Sequence, residues 1–264
     1  MSTTWFDLAG LCFAAAAGGA VNSVAGGGTL LTFPALLAVL GSPAEAAVAA
    51  NATSTVALFP GSLAAMAGYR RELSQTRAWA MLLLAPSLLG GVVGALLVTE
   101  LPAESFKALI PWLILTAACL FWMQPRVMRW LGLGDQPDPT RPRHLALVAV
   151  FQFFVAVYGG YFGAGIGILM LTALAIMGLH DIHQMNALKT LLASVINGVA
   201  VVVFVAKGKV DWPLALLMAA AAIAGGYAGA HVARRLDRNL VRRVVVLIGL
   251  SLAGYYLYPR IWPY

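Results

Sequence analysis

Asn22-Ser23-Val24-Ala25-Gly26-Gly27-Gly28-Thr29 interrupts an apolar run that otherwise extends from about residue 8 to residue 40. A second interruption, Tyr158-Gly159-Gly160-Tyr161-Phe162-Gly163-Ala164-Gly165-Ile166-Gly167, stands at the corresponding place in the other half of the chain. Glycine costs a helix interior about 1 kcal/mol relative to alanine, so three together at 26–28 read as a helix that stops. The chain beyond each break is apolar again and reads as a second helix with its own start.

The surroundings say what solvent these helices meet. The chain is 61% hydrophobic and only 10% charged, with a mean hydropathy of +0.85. A soluble domain carries charge on roughly a quarter of its residues. Apolar blocks recur at 8–24, 28–40, 46–68, 78–99, 105–123, 145–158, 165–178, 185–206, 212–233 and 239–258. The fold class is an all-α polytopic membrane protein. A β-barrel would show short alternating segments instead. Residues 2–11 hold only Asp7 as a charged group, so the first block has no basic leader and is not read as a signal peptide. The net charge of +7 lies mostly in a few loops, where it marks the cytoplasmic face rather than a nucleic-acid surface. Cys12 and Cys119 fall in apolar blocks and form no metal or disulfide framework. Neither a cofactor nor a metal ion is expected. The expected partners are a small anion and membrane lipid, with a homodimer left open and no nucleic acid.

The halves repeat. Gly26, Gly28 and Gly41 match Gly163, Gly165 and Gly178; after a short slip, Asn51, Thr55, Gly90, Gly91 and Gly94 match Asn186, Thr190, Gly225, Gly226 and Gly229. The expected organisation is a first repeat at 1–123, a Pro/Gly-rich linker at 124–143 and a second repeat at 144–264. Each broken stretch either spans once or doubles back as a re-entrant hairpin. Spanning once gives eight crossings and parallel repeats; doubling back gives six crossings and inverted repeats. In the second case Arg70, Arg71, Arg77, Arg126, Arg129, Arg141, Arg143, Arg234, Arg235, Arg238, Arg242 and Arg243 share one side. Lys107, Lys207, Lys209 and Arg260 lie opposite. That distribution follows the positive-inside rule better and favours the doubled-back form.

Bare backbone cannot face lipid, so a break at membrane depth is covered by protein or lines a cavity. The helix start beyond it offers unpaired N–H groups and a positive dipole end, which suit an anion. Gly26, Gly27, Gly28 and Thr29, with Asn22 just before them, and Gly163, Gly165 and Gly167 are therefore candidate ligand-binding positions. Gly90, Gly91 and Gly94 and their counterparts sit in unbroken segments and read as close helix packing. In 185–206, Asn186, Lys189, Thr190, Ser194 and Asn197 share one helical face; in 46–68, Asn51, Ser54, Thr55 and Ser62 do the same. Interhelical hydrogen bonding accounts as well for Asn197 and Ser62 as a ligand does. Lys189 is the one charged residue well inside an apolar block, and an intramembrane charge, costing roughly 3 kcal/mol on insertion scales, marks a pathway. Lys189, Asn51, Thr55, Asn186 and Thr190 complete the expected site, gathered around one anion. His180, Asp181 and His183 read as a solvated loop and Glu45 as a charge at a helix start. No Ser-His-Asp arrangement, HExxH or Walker sequence is present, so neither an enzyme nor an ATP-driven pump is expected.

Asn22 through Phe33-Pro34, followed by Ala50-Asn51-Ala52-Thr53, resembles the TauE/SafE family of sulfite exporters. So does the second copy, Gly163-Ala164-Gly165-Ile166-Gly167 followed by Asn186-Ala187-Leu188-Lys189-Thr190. The resemblance covers about residues 8–258. It implies a multi-pass carrier of the prokaryotic inner membrane that moves sulfite, sulfoacetate or other organosulfonates. It also implies eight spans as usually counted; relatives that handle thiosulfate use cysteines along the path, and neither Cys12 nor Cys119 falls in a glycine break.

Overall fold

A computed structural model describes residues 4–25, 27–41, 43–131, 142–176, 179, 181–232 and 238–261. Every regular element among them is a helix. The order is α1 (Trp5–Ala25), α2 (Thr29–Leu40), α3 (Ala44–Gly68), α4 (Arg70–Gln75), α5 (Arg77–Glu100), α6 (Ala103–Leu131), α7 (Pro142–Tyr161), α8 (Ile166–Ile176), α9 (Ile182–Ala206), α10 (Trp212–Val232) and α11 (Arg238–Ile261). Trp5–Asn22, Arg77–Glu100, Ala103–Met123 and His183–Ala206 are long and apolar enough to cross a membrane by length and composition. Leu88, Leu89, Val93, Leu96 and Leu97 on α5 and Leu216, Leu217 and Ile223 on α10 point outward. Such a surface is at home in hydrocarbon and not in water.

Both sequence breaks are real helix ends. α1 stops at Ala25 and α2 begins at Thr29, with Gly26 outside the described residues. The chain then doubles back. A Cβ placed on Gly18 would lie 2.9 Å from the Thr32 Cγ2 and 3.1 Å from the Gly28 carbonyl oxygen. In a continuous helix, residues 18 and 32 would be roughly 21 Å apart. In the second half, α7 ends at Tyr161 and α8 begins at Ile166. Gly163 and Gly165 both carry positive φ, +81° and +79°, which side chains disfavour, so the turn needs glycine at both positions. The Tyr158 hydroxyl donates to the Ala164 carbonyl at 2.8 Å and ties the turn to α7.

The helices pair reciprocally. α1 packs along α10 and α5 along α7; α3 meets α9 and α6 meets α11. The glycines foreseen as packing positions make the first two contacts. Gly90 and Gly94 lie against the backbone of α7 at Phe153, Val157 and Gly160, and Gly225 against the backbone of α1 at Ala16. The surroundings of Gly229 lie outside what is described. Each first helix of one half thus packs on the glycine-rich helix of the other.

Two elements go beyond the sequence reading. α4 occupies the basic loop after α3, and α6 continues to Leu131 where the apolar block ends at 123. Arg126 stacks over Trp122 one turn earlier, 4.5 Å from the ring centroid, which supports that polar extension. Residues 132–141 lie outside the described residues. Glu45 stands in the first turn of α3, and Asp181 caps α9 by accepting from the backbone N–H groups of His183 and Gln184. His180 is outside the described residues.

Candidate functional site

α3 and α9 run antiparallel and cross near their middles. The Ser194 hydroxyl lies 3.2 Å from the Ser62 carbonyl oxygen, and Gly198 packs against the Phe59 ring. Beyond the crossing, the Gln184 Nε2 at the start of α9 donates to the Gln75 Oε1 at the end of α4, at 3.2 Å. At the far end, the Asp211 N–H after α9 donates to the Thr53 hydroxyl oxygen at 3.0 Å.

Both breaks reach this crossing. The Asn22 Nδ2 on α1 donates to the Ser62 Oγ at 3.3 Å. A Cβ on Gly163 would stand 3.9 Å from the Asn197 Oδ1. The two helix starts also share a wall on α6. Gly27 lies against the Phe121 ring, and a Cβ on Gly165 would be 3.6 Å from the Ala117 Cα and the Leu120 Cδ1. Gly27, Gly28, Gly165 and Gly167 are buried, and Thr29 is half-buried. Part of each first turn is paired: the Leu30 and Leu31 N–H groups donate to the Gly27 and Gly28 carbonyls at 3.1 and 3.0 Å, and the Ile168 N–H to the Gly165 carbonyl at 3.1 Å. The earliest N–H groups of a helix have no acceptor within it, and both starts lie against the same stretch of α6. Thr32 on α2 and Ser54 on α3 share a hydrogen bond of 2.6 Å between hydroxyls, which fixes α2 against the polar face of α3.

The halves are also joined by Asn51. Its Nδ2 donates to the Tyr161 carbonyl at 3.0 Å, so a side chain of the first half holds the broken backbone of the second. Around this bond, Phe33, Phe162, Phe106 and Tyr161 pack edge to face, with centroids 5.3 to 6.2 Å apart.

The expected ring of donors does not close around one point. Asn51 precedes Ser62 on α3, Asn186 precedes Ser194 on α9, and the helices are antiparallel. The two asparagines therefore lie on opposite sides of the crossing, roughly 28 Å apart along the helix axes. No small anion touches both. The reason is the antiparallel course of α3 and α9: matched positions in the two repeats diverge from the crossing instead of facing each other. Thr55 donates its hydroxyl to the Asn51 carbonyl at 2.8 Å. Asn186 and Thr190 are half-buried, and Lys189 between them is buried, 9% exposed. The crossing residues themselves, Ser62, Ser194 and Asn197, were visible in the polar stripes. Nothing in the sequence separated them from ordinary interhelical hydrogen bonds.

The profile described as "Sulfite exporter TauE/SafE" matches residues 11–256. The chain belongs to the TauE/SafE family. A "Probable membrane transporter protein" of Haemophilus influenzae is 26% identical over 242 residues, covering 92% of this chain and 91% of that protein. The "Probable membrane transporter protein YfcA" of Escherichia coli K12 is 27% identical over 248 residues, covering 94% and 88%. The "Probable membrane transporter protein ORF9" of a Sinorhizobium species is 28% identical over 249 residues, covering 93% and 90%. No solved structure matches. Family and helices together make this TauE/SafE chain a multi-pass membrane transporter.

Proposed function

We propose that this TauE/SafE protein is a secondary transporter that exports sulfite or an organosulfonate such as sulfoacetate across the prokaryotic inner membrane by alternating access. The observation that carries the reading is the convergence of both glycine breaks on the α3·α9 crossing, with the buried starts of α2 and α8 beside α6. Compact oxyanions accept several hydrogen bonds at once, and helix starts, amides and hydroxyls supply donors. Lys189, buried on α9, supplies positive charge on the side of the crossing toward Asn186.

The doubled-back, inverted topology belongs to the same proposal. If each broken stretch spanned once, the chain after α5 and the chain after α9 would lie on opposite sides of the membrane. Glu100 and Lys207 form an ion pair between those two places. The Gln75–Gln184 contact joins the loops at the opposite end in the same way. Inverted halves that exchange contacts rock about their shared crossing and expose the centre to one side at a time.

The test uses purified protein in detergent and in liposomes. Sulfite or a sulfonate raises apparent thermal stability by mass action, and preloaded anion drives saturable counterflow. Replacing Lys189→Met abolishes both while leaving membrane insertion intact. Normal transport by that variant removes Lys189 from the pathway, and flux without counterflow makes the protein an anion channel.

A further inference from the structure

Asn51 is 1% exposed, and its Oδ1 is the one buried side-chain polar atom among the described residues that has no hydrogen-bond partner. Its orientation is fixed. The Tyr161 carbonyl requires a donor, so Nδ2 must face it at 3.0 Å; turning the amide over would set two acceptor oxygens against each other. Oδ1 is therefore left as an acceptor. Of the hydroxyls nearest in the chain, Thr55 donates its proton to the Asn51 carbonyl, while the Thr53 oxygen accepts from the Asp211 N–H beyond α9. Ala47, Ala50, Ala52, Phe33 and Phe162 nearby are apolar and buried. A buried water usually holds about three polar partners, and this surrounding offers few. A cavity of about 520 Å³ between α2, α3, α6 and α11 ends at Ala47, one helical turn along α3 from Asn51, which is not itself in its wall.

We infer that the Asn51 Oδ1 accepts a hydrogen bond from the transported anion as it passes the second break, on the far side of the crossing from Lys189, so the substrate carries a donor, a hydroxyl or ammonium group, beside its sulfonate. This rests on the sulfonate reading and narrows it, away from sulfite and sulfoacetate and toward hydroxyl- or ammonium-bearing sulfonates. The helix starts and Lys189 can only donate, and donors alone do not distinguish a substituted sulfonate from a plain one. An acceptor at the second break can. A site built to bond a donor rejects an analogue lacking it strongly, because the buried acceptor is then left unpaired.

The experiment compares isethionate with ethanesulfonate, which have the same charge and differ by one hydroxyl. Dissociation constants come from thermal shift and from competition for counterflow in the full-length protein. Isethionate binds about 10-fold tighter or more, and in Asn51→Leu the ratio falls to near one. Equal binding by the unaltered protein overturns the inference and leaves the sulfonate reading standing; a water bound at Oδ1 gives this same result. Binding of neither compound, with sulfite and sulfoacetate also silent, removes the sulfonate reading and this inference with it. If Asn51→Leu keeps the preference, another group reads the hydroxyl. The ligand pair on unaltered protein decides the question even if that variant does not fold.

Discussion

Adding one methyl group at Gly94 tests the packing that holds the second break. A Cβ there would lie 2.7 Å from the Tyr161 nitrogen and 3.0 Å from the Gly160 carbonyl carbon, and closer still to the Val157 oxygen. All three atoms are backbone and cannot rotate aside. α5 and α7 must separate, and the displaced atoms are those at the end of α7 that lead into the break. Alanine gains about 1 kcal/mol of helix propensity over glycine. Overpacking of a tight contact costs about 1–3 kcal/mol. Gly94→Ala is therefore expected to destabilise by up to about 2 kcal/mol. Gly254→Ala on α11 is the control, because a Cβ there meets nothing within 4 Å. It keeps the propensity gain without the clash. The same substitution then has opposite signs at two positions, read as inactivation rates on heating in detergent, where unfolding is irreversible. Gly94→Ala also weakens stabilisation by sulfonate, and Gly254→Ala does not. If both variants are equally stabilised, α5 and α7 are not in the close contact described.

Three further outcomes are expected. Ser87→Ala removes the partner of the buried Gln152, whose Nε2 donates to the serine at 2.9 Å; it costs about 1–3 kcal/mol in thermal inactivation, whereas replacing the exposed Ser74 changes nothing measurable. Cysteines at Glu100 and Lys207 cross-link with a short reagent and are labelled from the same side of the membrane, while cysteines at Gln75 and Gln184 are labelled from the other; opposite-side labelling within either pair refutes the doubled-back topology. Ser62→Ala leaves Asn22 without its hydroxyl partner, and weakens anion-dependent stabilisation several-fold more than it lowers the stability of the ligand-free protein; equal changes in both make the bond structural only.

Much of the architecture was legible because lipid leaves few choices. Apolar block lengths set the helices, and clustered glycines set the breaks, since neither signal depends on distant partners. The GGxxG pattern announced close packing, and Gly90 and Gly94 provide it. The polar extension of α6 was hidden because Pro125 and the arginines read as linker, whereas the Trp122–Arg126 stack needs coordinates to see. The site was only half legible. Helical periodicity puts Asn51 and Thr55 on one face, and Asn186 and Lys189 on another. It says nothing of the direction in which those faces cross. An antiparallel crossing separates Asn51 from Asn186 and brings Ser62, Ser194 and Asn197 to the centre. The contact between Asn51 and the Tyr161 carbonyl spans a sequence separation that no local pattern encodes.

The exchange of partners between halves has a consequence for how the chain is made. α1 is synthesised well before the helix it packs along, because α10 follows α2 through α9 in the chain. Until then the backbone faces at Ala16 and Gly19 have only lipid or insertion machinery against them. α5 meets α7 much sooner. Assembly is thus completed from the back of the chain, and truncation before α10 strands the first helix. Halves produced as two separate polypeptides should each be degraded alone and survive only when made together.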